Sequence, residues 1–325
     1  MGYALRRAGQ AAIVLIAAFT ATFLLLQLLP GDAILIKFES PELGLSPEQI
    51  ADIRALYGAD VPVWQQYLHT LGGYVRGDFG YSSQYGTEVL RLIADALPAT
   101  AALAALGFGV AALLAGAIAF LSTLAPFAWL RGALRALPGL FVSVPVFWLG
   151  ILLIQVFSFG LGWVPIVGAD PVAALVLPVL TLAVPISAPL AQVLVRSIDE
   201  VRLQPFATVV RAKGASESWL LWRSVARNAI LPTLTIAGVL LGELIGGAVV
   251  TETVFGRAGI GRLTEQAVAN QDIPVLQGIV VLAALSFVVV NLAVDLLYPV
   301  LDPRLRLSAR RTRVRLPATT SEVTA

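Results

Sequence analysis

The sequence has no cysteine, one histidine and one methionine. Without thiols it forms no disulfide, no thiolate metal site and no cysteine nucleophile. Charge is almost as scarce. Asp, Glu, Lys and Arg make up 13% of the 325 residues, against 58% apolar ones, and mean hydropathy is +0.85. That composition excludes an ordinary soluble domain and points to several membrane spans. No GxxxxGKS or GxxxxGKT sequence occurs, so the chain binds no ATP through a P-loop. No Ser/His/Asp set and no paired carboxylates suggest an intramembrane enzyme. The single histidine, His69, reads as a surface or packing residue. Nucleic-acid binding has little support, because the basic residues cluster where apolar runs end.

What the chain has is long apolar runs. A bilayer core needs about 20 apolar residues per helix, and six stretches qualify: 9–29, 98–124, 136–159, 172–195, 231–251 and 275–299. The first follows Arg6 and Arg7. Its length exceeds a signal-peptide core, so it reads as a retained anchor rather than a cleaved leader. Six spans that start inside place both termini in the cytoplasm. Sixteen of the 22 basic residues then lie on the inner side, as the positive-inside rule requires.

The segment between the first two spans, 31–97, carries nine acidic and four basic residues and is long enough for a small external helical lobe. Ser46-Pro47-Glu48-Gln49 has the form of a helix start with a capping box. Ile50, Ile53 and Leu56 follow at helical spacing. A second helix is expected over 62–76, with Trp64, Tyr67, Leu68 and Leu71 on one face. The lobe is either a folded loop packed on the spans or a surface that meets an external protein.

The most informative segment is 199–232. Pro205 fits the first position of a short helix reaching Lys213, and Gly214 supplies the left-handed residue that closes it. Ser216 is a plausible N-cap for a second helix, in which Trp219, Trp222, Ala226 and Ile230 recur at three- and four-residue spacing. Pro232 then opens the fifth span. The first helix is too short to be stable alone in water. It lies either on acidic lipid headgroups or against a soluble partner.

The same segment resembles the EAA signature of ABC importer permeases, in which a coupling helix docks into a groove of the ATPase subunit. The match is nearest to the B-type subunit of the dipeptide, oligopeptide and nickel permease family. It rests on Arg211-Ala212-Lys213-Gly214, Arg227-Asn228-Ala229 and Leu231-Pro232. The general motif's Glu-Ala-Ala is replaced by Thr208-Val209-Val210. An ordered set of further motifs is similar to that family: LPGD (29–32), YGAD (57–60), QYL (66–68), GDFGYS (77–82), LPAT (97–100), PVFWLG (145–150), GWVPIVG (162–168), ETVFGRAGIGRL (252–263) and NLAVDLLYPVLDPRLR (291–306).

The resemblance implies an all-α, six-span permease of the type I ABC importer fold. Its parts would be an anchor at 1–30, an external lobe at 31–93, a permease domain at 94–299 and a cytoplasmic tail at 300–325. It implies no catalytic residue, cofactor or metal on this chain, with ATP and Mg held by partner ATPases. The implied partners are a second, homologous permease chain, two ATPase subunits, an external substrate-binding protein and membrane lipid. Short peptides are the implied cargo, with nickel chelates, glutathione or haem-type ligands handled by similar proteins. Pro205, Phe206, Val209, Arg211, Ala212, Lys213 and Gly214 become the expected coupling residues.

Apart from the resemblance, Glu243 and Asp295 are acids inside predicted spans, where charge is costly. Glu243 lines a translocation path or bonds a neighbouring helix, while Asp295 reads as a structural partner of Asn291. The small residues Gly238, Gly242, Gly246 and Gly247 suggest a close helix contact within a dimer. Prolines 138, 145, 178, 185 and 189 are expected to interrupt spans three and four. Gly256, Gly259 and Gly261 do not form a nucleotide loop, because no strand precedes them. The alternatives to an importer subunit are a secondary transporter, for which only Glu243 is well placed, and a scaffold that recruits a cytoplasmic partner.

Overall fold

Helices follow the apolar runs, and the computed structural model describes them over residues 2–27, 46, 48–49, 61–165, 168 and 170–301. In chain order they are α1 (Gly2–Gln27), α2 (Val63–Arg76), α3 (Val89–Leu124), α4 (Ala128–Ser143), α5 (Val146–Leu153), α6 (Ala173–Arg202), α7 (Pro205–Ala212), α8 (Glu217–Leu220), α9 (Ala226–Val254), α10 (Ile260–Ala269) and α11 (Ile273–Leu301). A π-helical turn extends α5 over Ile154–Gly160, and another joins α8 to α9 over Leu221–Val225. The LPGD and YGAD motifs, Ile50, Ile53 and Leu56, the side chain of Asp295 and the arginine-rich tail lie outside the described residues. At the lobe's first helix, Ser46 N–H donates to Gln49 Oε1 (2.8 Å) and Gln49 N–H to Ser46 Oγ (3.3 Å), which is the expected capping box.

Among the described residues, five helices are long and apolar enough to cross a bilayer. Helix α6 is the central one. Half of its apolar stretch is buried within the chain, against 11% for the peripheral α1. Helix α3 runs along α6 and touches both ends of the bundle. Ala119 and Phe120 join a cluster with Ile198, Val201, Ala207 and Leu221 at one end. Val89 and Ile93 join Ile260, Leu263 and Val275 at the other. The two clusters are therefore roughly 40 Å apart along the helix, with 205–216 at one end and α10 at the other.

The expected third span is broken. Helices α4 and α5 meet at 104° across Val144-Pro145. Pro145 has no N–H to continue a ladder, and it holds Val144 in extended backbone (φ −94°, ψ 119°). The other prolines do not interrupt. Pro178, Pro185 and Pro189 lie within α6, Pro138 within α4, Pro98 within α3 and Pro232 within α9. Pro178 frees the carbonyl of Ala174, four residues back, and Arg257 Nη1 reaches it at 3.4 Å. Pro232 opens no span, since the helix runs unbroken from Glu217 through the π-turn to Val254.

The lobe's second helix appears as expected, but turned. Tyr67 and Tyr74 face α1, with ring centroids 5.6 and 5.1 Å from Phe19. The Tyr67 hydroxyl pairs with Thr20 Oγ1 at 2.8 Å. Trp64 and Leu68, expected on that face, are exposed. The Tyr67 hydroxyl finds a partner on α1 that leucine cannot use, and the Tyr74 ring packs edge-on to Phe19.

Two of the glycines of α9 pack closely within the chain. A Cβ on Gly242 would collide with the Phe287 ring of α11, and one on Gly247 would stand 3.2 Å from Leu182. Only Gly246 is exposed with open space beside it. Gly242→Leu is therefore an overpacking substitution costing about 1–3 kcal/mol. It should lower the unfolding temperature in detergent, whereas Gly109→Leu, on an open face of α3, should leave it unchanged.

Candidate functional site

Helix α7 is eight residues long and sits on the end of the bundle. Ala207 is fully buried, and Phe206 and Val210 pack beside it against Ile198, Val201 and Leu221. That inner face supplies the burial a two-turn helix needs. The outer face is Pro205, Thr208, Val209 and Ala212, at spacings of three, one and three residues, and all four are exposed. Leu203, just before α7, is 86% exposed and Val209 53%. The helix closes as expected. Gly214 adopts φ +84°, Gly214 N–H donates to the Arg211 carbonyl (2.9 Å) and Ala215 N–H to that of Val210 (3.4 Å). Lys213 is exposed at the C-cap.

Arg211 is engaged within the chain. Its Nε donates to Glu217 Oε1 at 2.6 Å, and Arg202 Nη2 donates to Glu217 Oε2 at 2.7 Å. One carboxylate thus ties the end of α6, the end of α7 and the start of α8. The Glu217 bond holds the Arg211 guanidinium above its already high range. At this exposure such pairs contribute about 0–1 kcal/mol. Packing under Ala207 therefore fixes α7, and the pairs set its angle. Ser216 caps α8 as expected, accepting from Trp219 N–H at 3.3 Å. The face after it is reversed: Leu220, Leu221, Val225 and Ala229 are buried, while Trp219, Trp222 and Ile230 are exposed. The π-turn shifts the register, and Trp222 stacks on Phe120 with centroids 4.3 Å apart.

The structure thus gathers the seven expected coupling residues on one protrusion and divides them. Pro205, Val209, Ala212 and Lys213 face outward, Phe206 faces the core, Arg211 is engaged within the chain, and Gly214 forms the turn. Glu243 lies elsewhere, about 20 Å along α9 from Ala229, where that helix meets the α7 cluster. It is exposed and bonds no described residue.

At the opposite end two carboxylates are sealed, and sequence reasoning assigned neither a role. Glu252, 1% exposed, accepts from Thr100 Oγ1 (2.6 Å) and from Gly261 N–H (2.7 Å), while Ile260 N–H donates to Thr100 Oγ1 (2.8 Å). The carboxylate fills the N-terminus of α10, where unpaired N–H groups favour an anion. Gly259 and Gly261 are glycines because a Cβ on either would strike Glu252 or Val249. The GRAGIG run therefore houses the chain's own carboxylate. Asp272, 1% exposed, accepts from the Ser82 hydroxyl and from the N–H groups of Ser83 and Gln84. These bonds fasten GDFGYS to the start of α11. The signal was present in the sequence as an acid seven and nine residues before two glycines.

A short helix with an exposed outer face sits on a bundle of long apolar helices, and comparison with known proteins identifies the class. The chain belongs to the family described as binding-protein-dependent transport system inner membrane component, which matches residues 107–307; that family's N-terminal component matches residues 1–104. It is thus a multi-pass inner-membrane permease of the ABC importers. The chain is 37% identical over 311 residues to a protein of Brucella abortus named for a peptide transport system permease, covering 93% of this chain and 98% of that one. It is 35% identical over 284 residues to the glutathione transport system permease protein GsiC of Escherichia coli, covering 87% and 92%. Its fold is similar to a chain of the inward-facing MetNI methionine ABC transporter, with a TM-score of 0.55 and 18% identity over 65% of this chain and 96% of that one.

Glu252→Leu leaves two buried N–H or O–H donors without an acceptor, at about 1–3 kcal/mol each. Purified protein should show a lower unfolding temperature and faster hydrogen exchange in 259–264. Exchange at 205–212, at the other end, should be unchanged.

Proposed function

We propose that this chain is the translocation subunit of an ATP-driven importer of short peptides and that α7 is its coupling helix. The observation that carries the reading is the outward face of Pro205, Thr208, Val209 and Ala212 on a helix whose other face is buried at Ala207. A helix fixed on one side and bare on the other suits a knob that enters a partner's groove. With 205–216 in the cytoplasm, both termini lie inside and 77–88 and 252–272 lie outside, in keeping with the arginine distribution. ATP and Mg are then held by two ATPase subunits. A second permease chain completes the path, and an external binding protein delivers the cargo at the α10 end. The relatives named for peptide and glutathione transport support a short-peptide cargo.

In this mechanism, closure of the ATPase dimer pushes α7. Phe206, Ala207 and Val210 pass the displacement to Ile198 and Val201 of α6 and to Ala119 of α3. Both helices span the bundle, so their far ends move with the near ones.

Val209→Asp tests this. A carboxylate buried without a partner in the groove should weaken docking roughly a hundredfold, equivalent to about 2.7 kcal/mol. Tagged protein should then lose its co-purifying ATPase, and ATP-coupled dipeptide uptake should fall, with membrane insertion unchanged. Gly214→Pro, which cannot hold φ +84°, should do the same. Normal ATPase recovery and uptake in both variants would overturn the docking assignment.

A further inference from the structure

Helix α9 carries a continuous exposed stripe. Pro232, Thr235, Val239, Glu243, Gly246 and Val250 recur at intervals of three, four, four, three and four residues, and all six are exposed. From Pro232 to Val250 the stripe runs about 27 Å, close to the roughly 30 Å hydrocarbon thickness. Glu243 stands near its middle. A carboxylate at that depth costs about 3 kcal/mol or more facing lipid. The buried acids Glu252 and Asp272 avoid such a cost through hydrogen bonds within the chain. Glu243 has none: no described residue donates to it. Beside it, Gly246 leaves open space where a side chain would stand. The stripe therefore combines an unpaired acceptor, room next to it, and a length that crosses the membrane.

An ionised carboxylate is acceptor-only, and its complement is a cation bearing N–H donors. Short peptides carry one at neutral pH, since an α-amino group titrates near 8. We propose that the α9 stripe lines the aqueous path and that Glu243 is a specificity-determining residue that receives the α-ammonium of the peptide in transit. This rests on the importer reading above for the identity of the cargo, but the location and sign of the site rest on α9 alone. A single carboxylate in a wet path binds weakly, as transit requires, because a site that held its cargo tightly would not release it.

The absence of native cysteine makes the test direct. Val239→Cys and Gly246→Cys are introduced separately into the assembled complex in membrane vesicles. Each is treated with trimethylammonium-ethyl methanethiosulfonate or with the anionic sulfonatoethyl reagent. With Glu243 about 6–8 Å away, the cationic reagent should react about five- to tenfold faster than the anionic one. Glu243→Gln should remove that preference, and Glu243→Asp should retain it. Failure of both cysteines to react would show the stripe sealed against lipid or the partner chain, and would overturn the proposal. Reaction without charge preference would overturn the role of Glu243. In cells, Glu243→Gln should reduce uptake of a radiolabelled dipeptide at least severalfold, with ATPase co-purification equal to wild type; unchanged uptake would overturn the ammonium role. A wild-type complex that imports no dipeptide yet shows the thiol charge preference would instead remove the peptide reading and leave a cation-receiving path.

Discussion

Hydrocarbon solvates neither a peptide group nor a charge, and this chain is arranged around that constraint. Its backbone is helical almost wherever it runs through the bundle. The freed carbonyl before Pro178 meets Arg257. Glu252 and Asp272 are buried at 1% exposure and are satisfied by hydroxyl and backbone donors. The basic side chains gather at the α7 end, where Arg135 meets Asp199 at 2.9 Å and Arg202 and Arg211 share Glu217. Against that arrangement a membrane-depth carboxylate with no partner among the described residues stands out. Glu243 is informative because Glu252, the other acid of α9, is satisfied by Thr100 and Gly261.

Much of the fold was legible because length and apolarity are local properties. Runs of about 20 apolar residues gave the spans, and Gly214 and Ser216 marked the ends of two helices by side-chain geometry alone. What the pattern could not give was which face of a helix turns inward. Trp219 and Trp222 recur at helical spacing, but so do Leu221 and Val225, and the π-turn between them decides the register. In α2 the choice between Trp64 and Tyr74 depended on Phe19, some fifty residues away. Interruption was expected at five prolines, and the chain breaks at Pro145 alone among them. Only this one follows a residue held in extended backbone, while those in α6 are tolerated inside a continuous helix.

The candidate site divides the same way. Its place on the chain came from motif and spacing; its orientation came from packing. Val209 and Arg211 are two residues apart, yet one is exposed and the other is bound to Glu217 within the chain. The resemblance made Arg211 an expected coupling residue. The carboxylate six residues later, across the Gly214 turn, draws it back. The replacement of Glu-Ala-Ala by Thr208-Val209-Val210 takes on a physical meaning here. Thr208 and Val209 lie on the outward face and Val210 on the inward one. The substituted positions therefore shape both the exposed face of α7 and its seat.

The two sites are joined by continuous helix. Helix α9 passes the α7 cluster at Ala229, presents Glu243 near its middle and ends in Glu252, whose carboxylate holds α10 and the Thr100 turn of α3. Helix α3 returns from Thr100 to Ala119, back at the α7 cluster. A displacement applied at α7 thus meets two helices pinned to each other at the far end through Thr100 and Glu252. The pair can tilt as one body, but their far ends cannot part without exposing a buried carboxylate and its donors, at about 1–3 kcal/mol for each group left unsatisfied. That coupling favours a rigid rocking of α3 and α9 over a local opening at α10. Rocking carries the Glu243 stripe with it, so the proposed ammonium site would change which side of the membrane it faces in the same movement that α7 undergoes.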